Sequence, residues 1–158
     1  MSNQTTISYE TTLRVRDCCL CLHVQRSGRA LARRFDQALR PFALTNGQFS
    51  MLMSLHRPDP VAMAGVASLL AMDRTTLTAA LKPLERRGLV KIALHKSDRR
   101  SRRMALTPEG MQLLARALPV WERTHSEVEG RLPTGVAAEL RTNLAVLSAA
   151  APPTKTKR

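Results

Sequence analysis

Apolar side chains return at helical intervals from Thr11 to Arg40: Leu20, Val24, Leu31, Phe35 and Leu39 fall on one stripe. No proline interrupts the run, so the pattern predicts one long helix, stopped by Pro41. Thr45 then stands as an N-cap three residues before Gln48, the spacing of a capping box, and Phe49, Leu52, Met53 and Leu55 supply an apolar face until Arg57-Pro58-Asp59-Pro60 ends it. Val61 to Leu70 reads as a short apolar helix. After the brief turn Ala71-Met72, Asp73 caps a further helix from Arg74 to Arg87, closed by Gly88, with Leu77, Leu81 and Leu84 on one side. Two short helices across a tight turn form a helix-turn-helix.

Beyond Gly88 the period shortens. Leu89 to Leu94 reads as a strand, His95 to Arg100 as a polar turn, and Arg102 to Leu106 as the returning strand of a hairpin, a wing. Thr107 caps the next helix with Pro108 in its first turn; that helix runs to about Glu129 with a bend expected at Pro119, and a last one spans roughly Thr134 to Ala149. The predicted fold is mainly α: a winged helix-turn-helix with a small two-to-three-stranded β wing and a helical dimerisation region from both termini. Residues 1–10 form a flexible arm, residues 11–150 a single unit, and residues 151–158 a basic tail. Within the unit, 11–44 and 107–150 supply the dimerisation helices and 45–106 the winged region.

Composition supports helices: aromatic residues are 3% of the chain, so the core rests on Leu, Ala, Val and Met. Charge changes the picture more. The chain has 25 Lys and Arg against 12 Asp and Glu, a formal net charge of +13, an excess that raises self-repulsion and attracts polyanions. With the leucines turned inward, the helix 74–87 presents Arg74, Thr75, Thr76, Thr78, Ala79, Lys82 and Arg86. Small hydroxyls and methyls permit close approach to base edges in the major groove, while Lys82 and Arg86 suit phosphates. The wing reads Lys-Ser-Asp-Arg-Arg-Ser-Arg-Arg over residues 96–103, which sets Asp98, Arg99, Arg100, Arg102 and Arg103 around one hairpin. Arginine at such a tip enters the minor groove, where negative potential is strongest. Double-stranded DNA is the partner this pattern implies.

Met72-Asp73-Arg74-Thr75-Thr76-Leu77-Thr78, Leu81-Lys82-Pro83-Leu84-Glu85-Arg86-Arg87-Gly88-Leu89-Val90, Asp98-Arg99-Arg100 and Leu106-Thr107-Pro108-Glu109-Gly110 follow one another in an order that resembles the MarR family. The likeness covers roughly Cys18 to Arg131. It implies a homodimeric, triangular winged-helix protein on a palindromic operator, usually a repressor, with Asp98 and Arg100 as the wing signature. Pro83 departs from the rule for helix interiors, since it removes a hydrogen bond to residue 79.

The resemblance also frames the switch. Some branches of that family sense organic hydroperoxides through a cysteine near the start of the first helix. Cys21 falls near that place and Cys19 forms a Cys-x-Cys with it, but the aromatic partners of that branch are missing. Packing as small buried hydrophobes is the alternative for Cys18, Cys19 and Cys21, and metal binding a further one. Family members often take small aromatic or phenolic anions between the dimerisation helices and the winged region; His23, Arg26, Phe49, Met53 and His56 are the candidates for such a crevice. No cofactor is expected. The sequence has no phosphate-binding glycine loop, nucleophile elbow or zinc pattern, and so does not read as an enzyme. No apolar run approaches ~20 residues and Met1 to Glu10 is polar, so a cytoplasmic location is expected. The alternatives to an effector-released repressor are a thiol-based redox regulator and a non-specific architectural DNA-binding protein.

Overall fold

Ser8 opens the first helix by accepting the Thr11 N–H on its Oγ at 3.2 Å, and α1 runs Tyr9–Cys18. The computed structural model describes residues 6–94 and 102–149, so the predicted tail at 151–158 lies outside it, as does half of the predicted arm. Residues 9 and 10, assigned to that arm, are helical instead.

The single long helix expected from Thr11 is two. Cys19 is extended (φ −74°, ψ 103°): its N–H ends α1 on the Val15 carbonyl at 3.0 Å, and its Sγ caps α2, Leu20–Leu39, by accepting the Leu22 N–H at 3.4 Å. No residue of α1 is buried, so packing does not hold α1 in line with α2, whose far end buries Phe35 and Leu39. Pro41 sits in a single 3₁₀ turn, Arg40–Phe42, and Ala43 then adopts a left-handed conformation with φ 51°.

The capping box of α3, Asn46–Leu55, is complete: Thr45 Oγ1 accepts the Gln48 N–H at 3.2 Å and Gln48 Oε1 accepts the Thr45 N–H at 3.0 Å. Its buried face is Phe49, Met51, Leu52, Ser54 and Leu55, which leaves Met53 outside the core. The helix expected from Val61 begins two residues later. Val61–Ala62 is strand β1, and α4 spans Met63–Leu69. β-branched Val61, just after Pro60, favours extended backbone, and β3 supplies its partner. α5 is Arg74–Arg86; its chain continues through Pro83 and leaves by Gly88 at φ 68°.

β2, Val90–Leu94, and β3, Arg102–Leu106, pair antiparallel from Val90↔Leu106 to Leu94↔Arg102. β1 joins the other side of β3, so the sheet order is β1-β3-β2. α6, Pro108–Glu129, runs unbroken through Pro119, and α7, Val136–Ala149, starts just after Gly135. The core lies where α3, α5 and β3 meet the end of α2: Leu39, Leu52, Leu77, Leu81, Leu84 and Met104 are fully enclosed, and each contributes about 1.5–3 kcal/mol through burial.

Candidate nucleic-acid interface

α5 is fixed at its start by Asp73. One carboxylate oxygen accepts the Thr76 N–H at 2.8 Å and the other accepts the Thr76 hydroxyl at 2.6 Å. The hydroxyl bond first, then the backbone N–H, hold the Asp73 carboxyl below the usual carboxylate range. At the other end, Arg87 donates to the Ala43 carbonyl at 2.7 Å and the Phe42 carbonyl at 3.3 Å, which ties α5 to the left-handed turn after α2. The first turn of α6 closes the corner between α5 and β2. Thr107 Oγ1 donates to the Gly88 carbonyl at 2.6 Å and accepts the Gly110 N–H at 3.0 Å, while Gly110 packs so closely that a Cβ there would lie 2.1 Å from Leu89 O.

This frame exposes Arg74, Thr75, Thr76, Ala79, Lys82 and Arg86 along one side of α5, the set expected from the leucine spacing. Their hydroxyls are not equivalent. Thr76 directs its proton to Asp73, and Thr78, half-buried, donates to the Arg74 carbonyl at 2.7 Å with Met63 Sδ 3.5 Å away. Thr78 therefore faces α4 more than the groove expected for it; back-bonding to residue i−4 draws it there. Among the described residues the Thr75 hydroxyl makes no hydrogen bond. It is the one α5 hydroxyl with its proton available for a base edge or phosphate.

Of the wing residues, Asp98, Arg99 and Arg100 lie outside the described residues. Arg102 is exposed opposite Leu94. Arg103 is not: it stands between Ala93 and Ala62 in the middle strand, half-buried, with its Nε enclosed and without a hydrogen-bond partner.

The crevice residues separate into two places. Phe49, Met53 and His56 line a cavity of about 580 Å³ between α3 and α6, together with Leu118 and Trp121. His23 and Arg26 lie in a groove along α2 with Arg29 and Arg33, and His23 Nδ1 donates to the Cys19 carbonyl at 2.9 Å. Trp121 is not among the crevice candidates that the sequence pattern supplies. Its ring stacks on Phe49 (centroids 5.7 Å, 12°) and on His125 (4.7 Å, 9°), with Phe35 at 6.1 Å. Leu118, Trp121 and His125, spaced by three and four, carried that signal. Arg34 pairs with Glu127 at 2.6 Å and holds α2 against α6.

The cysteines do not pack as buried hydrophobes within this chain. Cys18 and Cys21 are exposed and Cys19 is half-buried. Among the described residues no group of His, Cys, Asp and Glu is arranged to hold a metal ion, and no helix is long and apolar enough to cross a membrane.

The MarR family pattern matches residues 44–101, from the end of the turn after α2 into the wing. The crystal structure of the M. tuberculosis transcriptional regulator MosR in complex with DNA superposes with a TM-score of 0.76 at 34% identity, covering 84% of this chain and 95% of that one. The transcriptional repressor CouR bound to a 23-mer DNA duplex gives 0.76 at 28% identity over 85% and 95%. CouR from Rhodococcus jostii RHA1 bound to p-coumaroyl-CoA gives 0.74 at 26% over 86% and 96%. The transcriptional regulator HosA of Escherichia coli O157:H7 is 29% identical over 89 residues, 56% of this chain and 66% of HosA, so this curated relative is matched over less than two thirds of its length. With about a third of its residues identical across nearly the whole of MosR, the chain belongs to the MarR family, and its fold and relatives are those of transcriptional regulators and not of enzymes.

Proposed function

We propose that this chain is a sequence-specific, homodimeric DNA-binding regulator that represses from a palindromic operator and is released by a small aromatic or phenolic anion. The observation that carries the reading is α5: a helix clamped at both ends, with Arg74, Thr75, Thr76, Lys82 and Arg86 exposed on one side of a strongly basic chain. Arg102 extends the basic surface along β3, and Asp98, Arg99 and Arg100 are the wing residues proposed to reach the minor groove. MosR and CouR, which share the fold, were crystallised on DNA.

Dimerisation is supported by what the monomer leaves uncovered. Neither α1 nor α7 buries a residue, yet Tyr9, Val15, Leu140, Leu144, Val146 and Leu147 are apolar and exposed there. Apolar faces at both ends of the chain suit a second copy better than water. For the effector, the cavity behind Phe49, Met53, His56 and Trp121 has the volume of a small-molecule site, with stacked aromatic walls and Arg57 at its rim. CouR, a relative, binds p-coumaroyl-CoA.

Selection of bound sites from random duplexes tests the reading. Two inverted half-sites about one helical turn (~10 base pairs) apart are expected. A monomer with uniform affinity for all sequences overturns it in favour of an architectural role.

The break at Cys19 favours a second reading, thiol sensing. Cys19 and Cys21 flank the first residue of α2, where the backbone has left the helical path, so a disulfide between them strains a helix already interrupted. A hydroperoxide takes two electrons from the two thiols and leaves as alcohol and water. Loss of DNA affinity on peroxide treatment, abolished in Cys19→Ser and Cys21→Ser, supports this reading; affinity unchanged by peroxide removes it.

A further inference from the structure

A second cleft, about 450 Å³, lies on the other side of Ser54 and Arg57 from the aromatic cavity, between β3, α4 and the α3–β1 connection. Its lining includes Ser54, Arg57, Asp59, Val61, Gly65 and Arg103. The two cavities share the wall formed by Ser54, Arg57, Pro58 and Leu69, but Arg103 lines only the cleft.

Arg103 is the anomaly of the winged region. A guanidinium keeps its charge at every physiological pH, and a donor of a charged group enclosed without an acceptor is costly. Its Nε is nonetheless enclosed with no partner. Ser54 Oγ, the nearby buried hydroxyl of the lining, already donates to the Met51 carbonyl at 2.7 Å. Asp59, the acid of the lining, pairs with neither Arg57 nor Arg103 among the described residues, so two cations face one carboxylate around an open space.

We propose that this cleft binds an oxyanion, the carboxylate or phosphate group of a small metabolite, with Arg103 as its enclosed ligand and Arg57 at its rim. Nε and one Nη of a guanidinium form a planar fork that matches two oxygens of either group, and the bond to an ionised acceptor is the stronger kind. The acceptor comes from a small molecule and not from DNA. No lining residue belongs to α5 or β2, and the order β1-β3-β2 puts the cleft beside β1 at one edge while α5 packs against β2 at the other. The site goes beyond the aromatic crevice, because its enclosed ligand, Arg103, is absent from that cavity.

The test is a titration of the ¹⁵N-labelled full chain with inorganic phosphate and, separately, with acetate, each at ionic strength held constant with sodium chloride. The Arg103 Nε–Hε resonance, identified by its loss in Arg103→Lys, moves downfield and saturates. A response to phosphate alone assigns the site to phosphate esters, and a response to acetate alone to carboxylates. By calorimetry, Arg103→Lys weakens the responding anion about tenfold or more, the effect of losing a charge-assisted hydrogen bond. Arg57→Gln, on the exposed rim and outside the sheet, weakens it less. The proposal is overturned if the Arg103 resonance drifts no more than those of the other arginines with both anions. It is also overturned if Arg103→Lys binds them as the parent does, or if that variant loses DNA affinity while neither anion saturates.

Discussion

Gly110→Ala is the sharpest probe of how α5 is held. The added Cβ falls 2.1 Å from Leu89 O, 3.0 Å from Leu89 C and 3.3 Å from Leu89 Cα. Ordinary contact between such atoms begins near ~3.5 Å, so backbone, not a flexible side-chain end, must retreat by about 1.4 Å. Overpacking of that kind costs about 1–3 kcal/mol. The retreat also stretches two bonds at the same corner, Thr107 N–H to Leu89 O (3.1 Å) and Thr107 Oγ1 to Gly88 O (2.6 Å), each contributing about 0.5–1.5 kcal/mol. The better helix propensity of alanine returns about 1 kcal/mol, leaving a net loss of about 1–5 kcal/mol, at roughly 2–4 °C in Tm per kcal/mol for a domain of this size. Gly28→Ala is the matched control: Gly28 lies inside α2 with nothing within 4 Å of its Cβ position, so the same substitution stabilises by about 0.5–1 kcal/mol. Urea unfolding followed by circular dichroism, at one protein concentration because the midpoint of the proposed dimer would depend on it, compares the two. The same shift displaces the α5–β2 corner, so Gly110→Ala also weakens DNA binding in a gel-shift titration. A midpoint for Gly110→Ala equal to or above that of Gly28→Ala refutes the close approach of α6.

Other substitutions separate the roles along α5 and the cavity. The Asp73 carboxyl is held below its ordinary range in the folded chain, so its contribution to stability is complete above that range and lost as pH falls through it. Asp73→Ala lowers the urea midpoint at neutral pH, and the difference from the parent shrinks in acid; a gap independent of pH contradicts the capping role. Lys82→Ala weakens binding to all duplexes alike and lowers the slope of log affinity against log salt by about one, whereas Thr75→Ala changes which sequences are selected. Equal loss across sequences for Thr75→Ala demotes it to a backbone contact. Trp121 is the sole tryptophan and forms a wall of the aromatic cavity, so p-hydroxybenzoate quenches its fluorescence saturably and His56→Ala weakens that titration. Quenching that stays linear in concentration removes the cavity as the effector site.

What could be read from the sequence was local. Thr45 with Gln48, Asp73 before Arg74, and Thr107 with Pro108 all cap within three residues of themselves, and each cap forms as the spacing requires. Leu77, Leu81 and Leu84 orient α5 for the same reason: one period fixes which face is buried, and so which face is left for a partner. The misses depend on contacts far along the chain. β1 exists because Met104 and Arg103, some forty positions on, pair with Val61 and Ala62, and no local pattern announces that. The break at Cys19 falls where α1 buries no residue in this chain, a feature of packing that the period does not encode.

Arg103 shows the same limit in the charge pattern. Counted in the run 96–103 it is one more cation of the wing, equivalent to Arg102. Strand pairing separates them: Arg102 ends the ladder opposite Leu94 and is exposed, whereas Arg103 lies between two neighbouring strands with its Nε enclosed. A basic run therefore reports the field a hairpin carries, not how many of its charges reach the nucleic acid. Among the described residues of the run 96–103 the exposed cation is Arg102, so the salt dependence of DNA binding is expected to reflect fewer phosphate contacts than the run suggests. Arg102→Gln therefore lowers the salt slope and Arg103→Gln does not. Equal slopes for both variants mean that Arg102, too, stands away from the phosphates.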